Sequence, residues 1–556
     1  MTKKDDLSLN DSVSTSATES SPLLGTLPVP RQIQYTLLVN LDNLIQFILK
    51  ILEKCKHNKL VQLLPSLIVG LAIWFGVPDH DELTPTAIHI LAVFMSSIVA
   101  LLTTRLDMSL IVLFGLVILS LTRSFQCTDA VTGGSVECRL CQSRDPISGD
   151  LYHCDGRAQS FRQSLEGFST PVVWLIFAAF HLGRAVDITR LGKRASVQLI
   201  QLFGTSTLGL AYSIEICEVV LAPFVPSNTA RGGGIVLPVV SSLTASLGST
   251  VDQDPQLGAL LSLVGAHSNL VSASLFMTGM AANPLVVSKA KVVFPHINFN
   301  FVRWTIGASV PALVSLILMP ILFSWWCDTR RQIGSGEQVK NLTEEQLKEL
   351  GPIATCEKML CIILVICLML WVGSDLDSGL VALLGILLLL LTDVLTWKDV
   401  AGNTNAWDTL FWLGGFVTIA QQLSDAGASA YLGEHISTGI DNMGLPPIPT
   451  IPILYFATCF MFSSLSTHIV ALNVTFMEAG KHLGVNPMIL VPCIAYFSSL
   501  GGCMTNFSTG SVAMYYSQGF IGRGRWFALG ARVAVLHLVV YFTVGVLWWR
   551  CLGWLE

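Results

Sequence analysis

Small polar side chains occur together at two places inside otherwise apolar stretches of the sequence. Residues 227–231 read Ser-Asn-Thr-Ala-Arg and precede three glycines, and residues 463–468 read Ser-Ser-Leu-Ser-Thr-His. Hydroxyl and amide groups donate hydrogen bonds to carboxylate oxygens, whereas hydroxyl and carbonyl oxygens bind small cations. These residue types therefore indicate a site that binds an anion, a cation or both.

The two polar groups occupy equivalent positions in two similar halves of the chain. Ser464 follows Ser227 by 237 positions (464 less 227). About 50 residues before each group, residues 173–180 read Val-Trp-Leu-Ile-Phe-Ala-Ala-Phe and residues 411–417 read Phe-Trp-Leu-Gly-Gly-Phe-Val. The sequence therefore predicts an internal repeat with one polar group in each copy.

Proline and glycine interrupt the apolar stretch around the first polar group. Pro223 and Pro226 end a helix before it, and glycines 232–234 permit tight turning after it. Inverted repeats with helices broken at matching positions are typical of transporters, which bind substrate at the breaks near the bilayer midplane. The alternatives are a solvated loop and a packing motif of small residues between helices.

The composition of the whole chain is that of a polytopic membrane protein. Of its 556 residues, 52% are hydrophobic and 12% are charged, against about 25% charged residues in soluble domains. Apolar stretches of about 20 residues predict an all-α fold with about 11 transmembrane helices. We expect two inverted repeats, each with a re-entrant hairpin and a broken helix. The net charge of −5 argues against a nucleic-acid partner.

Basic residues orient the chain, because cytosolic loops carry an excess of lysine and arginine. Lys50 and Lys54 precede the first predicted span, and Arg184 and Arg190 follow the fourth. Both of these basic segments are therefore predicted to be cytosolic. The resulting segments are a disordered cytosolic N-terminus at 1–32, an amphipathic interfacial helix at 33–59, scaffold helices at 60–125, an extracytosolic cysteine-rich loop at 126–160, the first repeat at 161–326, a cytosolic linker at 327–355 and the second inverted repeat at 356–556.

The predicted extracytosolic loop contains four cysteines, at Cys127, Cys138, Cys141 and Cys154. Thiols on this side of a membrane oxidise. Two disulfides of undetermined connectivity are therefore one interpretation. A zinc site is the other, although Cys138 and Cys141 form its only closely spaced pair.

The N-terminal residues indicate which cellular membrane contains the protein. Residues 19–24, Glu-Ser-Ser-Pro-Leu-Leu, resemble an acidic di-leucine sorting signal, with plain disorder as the alternative. The signal favours an endolysosomal or vacuolar membrane, and the extracytosolic cysteines fit that lumen or the cell exterior, so the plasma membrane is the alternative. A plastid envelope is less favoured because Asp5 and Asp6 are unusual in a transit peptide.

Four segments resemble motifs of the divalent anion:sodium symporter family. They are LAPFVPSNTARGGGIVLPVV (221–240), SASLFMTGMAANPL (272–285), WDTLFWLGGF (407–416) and MTNFSTGSVAMYYSQGF (504–520). The resemblance covers about 85–550 except the cysteine-rich loop, and it is greatest to 2-oxoglutarate/malate translocators and citrate, tartrate and succinate exchangers. It implies hairpin tips that face broken-helix loops, an elevator-type movement past a static scaffold, and a homodimer in membrane lipid.

The resemblance also implies which residues bind ligands. By resemblance, the expected substrate-binding residues are Ser227, Asn228, Thr229, Thr278, Asn283, Ser464, Ser466, Thr505 and Asn506. The residue types within the two polar groups add Arg231, Thr467 and His468 to this set. We expect no cofactor; sodium ions are the alternative, and for them the resemblance indicates Ser227, Asn228, Gly279, Ala282, Ser463 and Thr505.

The second polar group departs from the symporter pattern. Leu465 stands where symporters have asparagine, and its side chain cannot bind sodium. Arg231 and His468, again 237 positions apart, add charged or titratable groups. Our hypothesis is that these two residues replace sodium charge. The alternatives are an ion pair of Arg231 with Glu218 or Glu215, and a packing role for His468.

The function that these observations predict is secondary active transport of a small di- or tricarboxylate such as malate, 2-oxoglutarate, succinate or citrate, by exchange. One alternative is sodium-coupled symport of dicarboxylate or sulfate. Another is a transporter-like anion channel or nutrient sensor. The sequence contains no P-loop, GxSxG or HExxH motif, so we do not expect an enzyme.

Overall fold

The computed structural model describes residues 62–78, 83–104, 106–144, 149–329 and 336–555. The predictions for the N-terminus at 1–32, its di-leucine motif and the amphipathic helix at 33–59 lie outside these residues.

The first half of the described chain is helical apart from one small hairpin. Its helices are α1 Leu64–Gly76, α2 Pro85–Thr103, α3 Met108–Thr122, α4 Gly156–Ser164, α5 Pro171–Ile188, α6 Leu191–Phe203, α7 Thr207–Leu221, α8 Leu237–Ser246, α9 Pro255–Leu275, α10 Asn283–Val293 and α11 Phe301–Trp326. A π-helix at Thr229–Val236 leads into α8, and strands β1 Gln126–Thr128 and β2 Ser135–Glu137 pair antiparallel.

The second half follows a linker helix and repeats the same order of elements. Its helices are α12 Gly336–Leu350 (the linker), α13 Thr355–Gly373, α14 Ser378–Leu391, α15 Trp397–Ala401, α16 Thr404–Asp425, α17 Ala428–Asn442, α18 Pro447–Thr458, α19 Leu465–His482, α20 Pro487–Leu500, α21 Gly510–Ser517, α22 Arg523–Val540 and α23 Val546–Cys551. Thus α5 to α10 correspond in order to α16 to α21, and α11 corresponds to α22 and α23 together. Helices α2 and α3 correspond to α13 and α14.

Contacts between the halves occur in reciprocal pairs. Helix α5 packs against α14, and its counterpart α16 packs against α3. In the same way α10 packs against α19, and its counterpart α21 packs against the π-helix, which corresponds to the start of α19. Reciprocal contacts of this kind are those of two copies of one motif related by a pseudo-two-fold axis.

The described helices have the lengths and apolarity of a multi-pass membrane protein. Among the described residues, seven helices are long and apolar enough to cross a membrane, and four shorter ones are also apolar. Of the spanning stretch of α9, 94% is buried within the protein, against 33% for α13. Helix α9 therefore lies at the centre, whereas α13 presents most of its surface outwards.

The predicted cysteine-rich loop folds around two disulfides, Cys127–Cys138 and Cys141–Cys154. This confirms the disulfide interpretation and leaves no thiolates for a zinc site. The Asp129 carboxylate accepts hydrogen bonds from the backbone of Thr132, Val131 and His153. These bonds, led by that of Thr132, lower the pKa of Asp129 to about 2.

Mapping of peptides under non-reducing conditions tests this pairing. We expect fragments linked through Cys127–Cys138 and Cys141–Cys154, because each pair closes a short loop within the folded segment. Cys217, buried in α7, is the internal control and should be recovered as a free thiol. Recovery of four free thiols in the loop would contradict both the pairing and the extracytosolic orientation.

Candidate functional site

A cavity of about 190 Å³ lies between the two polar groups that the sequence singles out. We call residues 226–229 the first tip and residues 463–466 the second tip; all eight of these residues line it. The remaining lining residues are Phe180, Met280, Ala281, Thr409, Trp412, Ser508, Thr509 and Gly510. The fold therefore brings two segments that are far apart in sequence to one site.

A serine near the start of each tip caps the helix that follows. Ser227 Oγ accepts a hydrogen bond from Ala230 N at 3.3 Å, and Ser464 Oγ accepts one from Thr467 N at 3.4 Å. Serine favours this position because its oxygen satisfies a backbone N–H that has no partner within the helix. The remaining N–H groups at these helix starts, and their helix dipoles, favour a negative charge in the cavity.

A third helix begins at the cavity wall, where Thr509 caps α21 through a hydrogen bond from Val512 N at 3.4 Å. The first tip approaches this start very closely, since a Cβ atom on Gly510 would lie 2.4 Å from Thr229 Oγ1. Only glycine fits at this position. The two halves thus meet closely at the cavity, with the Thr229 side chain against the backbone of Gly510.

No charged side chain is found among the described residues that line the cavity. Its polar groups are hydroxyls, the Asn228 amide and the backbone at the helix starts. An anion bound here would be stabilised by dipoles and neutral donors, which is the arrangement used at helix N-termini.

Asn228 is the polar side chain most available to a ligand. It is 7% exposed, and neither its amide nitrogen nor its amide oxygen has a hydrogen-bond partner among the described residues. Its backbone is fixed, because Asn269 Nδ2 donates to Asn228 O at 3.2 Å. A buried amide without partners costs free energy unless a ligand or water completes its bonds.

Asn269 connects this tip to the other half. Besides Asn228, its Nδ2 donates to Glu218 Oε2 at 2.9 Å, and its Oδ1 accepts from Ser511 Oγ at 2.8 Å. Ser511 Oγ in turn lies 2.7 Å from the Thr509 hydroxyl at the cavity wall. Asn269 was not among the predicted site residues, because nothing local in the sequence distinguishes it from other polar residues of a helix.

The structure places Arg231, one of the predicted substrate-binding residues, away from the cavity. Arg231 is fully buried outside the cavity lining, and its Nε donates to Glu218 Oε2 at 2.8 Å. Its other donors contact backbone oxygens of Val225 (2.7 Å), Gly279 (2.8 Å) and Asn269 (3.2 Å) and the Ser272 hydroxyl (3.1 Å). The alternative of an ion pair with Glu218 is the correct one, and the guanidinium ties the hairpin to the broken-helix loop.

The structure also places His468, another predicted substrate-binding residue, away from the cavity. Its Nε2 lies 2.8 Å from Thr458 Oγ1 and its Nδ1 3.3 Å from Cys459 Sγ, and it is fully buried outside the cavity lining. Its ring packs against that of Tyr455 at a tilt of 43°, with 4.5 Å between centroids. Tyr455 follows Glu218 by the same 237 positions, so an aromatic pair replaces the ion pair of the first half.

Five other predicted substrate-binding residues also lie outside the cavity lining. They are Thr278, Asn283, Thr467, Thr505 and Asn506. The Thr278 hydroxyl donates to Pro223 O at 2.9 Å, and Asn283 Nδ2 donates to Ala273 O at 2.7 Å, so both stabilise the helix breaks.

The residues assigned to sodium are divided between the cavity and the helix breaks. Ser227, Asn228 and Ser463 line the cavity, whereas Gly279, Ala282 and Thr505 do not. The Gly279 carbonyl that was expected to bind sodium accepts a hydrogen bond from Arg231 instead. Thr505 Oγ1 is buried without a partner among the described residues.

Phe180, Met280, Thr409 and Trp412 belong to the site but were not predicted to do so. The motif at 407–416 carries two of them, but a resemblance to the family does not tell which side chains reach the cavity. Phe180 lies on α5, Thr409 and Trp412 lie on α16, and Met280 lies in the broken-helix loop before α10, so their presence depends on how these elements pack beside the tips.

An all-helical membrane protein with paired broken helices and opposed hairpin tips is a polytopic membrane transporter. Residues 57–555 match the family described as the sodium:sulfate symporter transmembrane region, and the chain belongs to this family. This confirms the resemblance to divalent anion:sodium symporters.

Three known proteins illustrate the similarity. Dicarboxylate transporter 1, chloroplastic, of Spinacia oleracea is 32% identical over 501 residues, which are 88% of this chain and 81% of that protein. The L-tartrate/succinate antiporter of Shigella flexneri is 28% identical over 397 residues, 70% of this chain and 81% of its own. MtrF of Neisseria gonorrhoeae, described among antimetabolite efflux pumps, shares the fold with a TM-score of 0.52 and 12% identity, over 81% of this chain and 97% of its own.

Replacement of Arg231 should lower stability rather than substrate affinity. R231M leaves the Glu218 carboxylate buried and unpaired, which lowers the free energy of unfolding by about 3–5 kcal/mol. The double variant E218Q/R231M should recover part of this loss, because it removes the unpaired charge. The melting temperature in detergent is the measurement. An unchanged melting temperature with weakened substrate binding would contradict the assignment.

Proposed function

We propose that this protein is a secondary active transporter of small dicarboxylates, which bind between the first and second tips. The observation that carries the proposal is a cavity walled by capped helix N-termini from both halves. The names of the spinach and Shigella relatives support a dicarboxylate as the substrate.

The cavity wall suits a short molecule with two polar ends. Asn228 and the serine hydroxyls offer donors to carboxylate oxygens, whereas Phe180, Met280, Trp412 and Leu465 provide an apolar wall for a methylene bridge. Because the second tip has leucine at the position of Asn228, the two tips are chemically unequal, and the substrate is oriented between them.

Exchange without sodium is the mode that the first half supports. The Arg231 guanidinium contacts three backbone oxygens that converge from the hairpin, α9 and the broken-helix loop. Such converging carbonyl oxygens bind cations, and here a permanently charged side chain fills that role. In the second half Leu465 lies near Gly502 in the other helix break, and it offers no oxygen to a cation.

Movement of both tips past the remaining helices, in a homodimer, would expose the cavity alternately to each side of the membrane. The break in each hairpin and each central helix supports this elevator-type mechanism, because helix ends from both halves meet at the cavity. The disulfide-linked loop supports an oxidising lumen or exterior on one side, as in an endolysosomal, vacuolar or plasma membrane.

Sodium-coupled symport is the second candidate function. It is favoured by Thr505 Oγ1 and Asn506 Oδ1, which are buried without partners among the described residues at the second helix break. Oxygens of this kind would satisfy the preference of sodium for hard ligands.

Counterflow in proteoliposomes tests the transport function and its mode. Protein reconstituted with internal malate should take up labelled malate or succinate equally in sodium and choline buffers, because no step requires a free cation. Proteoliposomes that contain the protein but no internal malate should show no uptake. Strict sodium dependence would favour symport, and substrate binding without any flux would favour a sensor.

Removal of the Asn228 amide should impair transport without loss of stability. N228A removes donors from the cavity wall, so we expect KM for the dicarboxylate to rise about tenfold, as for one lost hydrogen bond to a charged group. The matched control is N473A, since Asn473 is equally buried and unpartnered but lies outside the cavity lining. Equal effects of both variants on KM would contradict the assignment of the cavity.

A further inference from the structure

A second cavity of about 390 Å³ adjoins the first. We call it the vestibule. The two cavities share the walls formed by Phe180, Pro226 and Ser227. The other residues that line the vestibule are Gly183, Arg184, Asp187, Val225, Ala230, Gly234, Ile235, Gly402, Asn403, Thr404 and Asn405. It lies on the side of the first tip that carries the end of α5, which the distribution of basic residues predicts to be cytosolic.

The vestibule, unlike the first cavity, contains charged side chains. Arg184 is the one cationic residue and Asp187 the one anionic residue among its described lining residues. Arg184 follows Phe180 by one helical turn of α5, so a single helix face leads from the shared wall to the guanidinium. Arg184 Nη1 donates a hydrogen bond to Asp187 Oδ2 at 2.9 Å.

The ion pair between Arg184 and Asp187 is easily exchanged. The two side chains are 45% and 60% exposed, and a pair so accessible to water contributes only about 0–1 kcal/mol. A substrate carboxylate can therefore take the place of Asp187 at little cost. The guanidinium suits this role, because its planar fork binds a carboxylate with two parallel hydrogen bonds.

Asp399 also interacts electrostatically with Arg184 but is less free to compete. Its Oδ2 accepts hydrogen bonds from Thr396 N at 2.9 Å and from Thr396 Oγ1 at 2.6 Å, which form the cap of α15. Asp187 is the more exposed of the two acids. The acid that an incoming anion displaces is thus Asp187.

We propose that the vestibule is a first binding subsite for dicarboxylates on the predicted cytosolic face, in which a substrate carboxylate displaces Asp187 from Arg184. The substrate then passes Phe180 and Ser227 to the uncharged cavity between the tips. Capture by a positive charge outside that cavity raises the local concentration of an anion without holding it too tightly at the transport site. This inference rests on the proposed function.

Two variants with opposite expected effects test the proposal. R184Q should raise KM for malate roughly threefold to fivefold, and D187N should lower it by roughly twofold to threefold, since the competitor is gone. Both effects should appear only when substrate is supplied on the vestibule face, with little change in Vmax. A stabilising role of the ion pair would move both variants in the same direction.

The measurement is exchange in proteoliposomes of uniform orientation, with the vestibule facing outwards or inwards. Orientation is checked by the accessibility of the disulfide-linked loop to added protease. R190Q is the matched control, because Arg190 is an exposed arginine beyond the same helix but outside the vestibule lining. It should leave KM unchanged.

Failure of the subsite and failure of the proposed function give different results. Normal malate exchange with unchanged KM in both R184Q and D187N would overturn the subsite and leave the proposed function intact. Equal changes on both faces would also overturn it, because the subsite belongs to one face. Absence of dicarboxylate transport by the wild-type protein would overturn the proposed function and the subsite together.

Discussion

Backbone groups at the helix breaks are the constraint on which the site depends. Helices that end within an apolar environment leave carbonyl and amide groups without partners, and each unsatisfied group costs several kcal/mol there. In the first half, Asn283, Thr278 and Arg231 donate to the free carbonyls of the broken segments. In the second half, Ser508 Oγ donates to Gly502 O at 2.6 Å. The carbonyl ends are thereby satisfied inside the protein, whereas the amide ends remain directed towards the cavity.

The two hairpins solve this problem differently. In the first, a buried ion pair of Glu218 and Arg231 links three backbone segments, and removal of either charge would leave the other unpaired. In the second, the His468 ring packs between those of Tyr455 and Phe462. The first hairpin is thus held by charge and the second by aromatic packing. This difference, together with Leu465 in place of asparagine, makes a symmetric fold into an asymmetric site.

In the mechanism that we propose, charge is distributed so that binding and capture are separate. The cavity between the tips holds neutral donors and helix starts, which can release an anion because no fixed charge retains it. The vestibule holds Arg184 and Asp187 in contact with water, where their interaction is weak enough to be exchanged. An anion moving inwards would lose contact with the guanidinium as it gains contact with the tips.

The sequence by itself determined the membrane class, the repeat and the two tips, because these are local features. Long apolar runs must span lipid, and Ser, Asn, Pro and Gly within such runs mark broken helices wherever the chain folds. Only the tertiary structure decided the direction of the Arg231 and His468 side chains, the pairing of the four cysteines, and the presence of Phe180, Thr409 and Trp412 at the cavity. These depend on contacts between residues distant in sequence: Arg231 could face a ligand or Glu218, and the backbone oxygens that decide between them come from three separate segments.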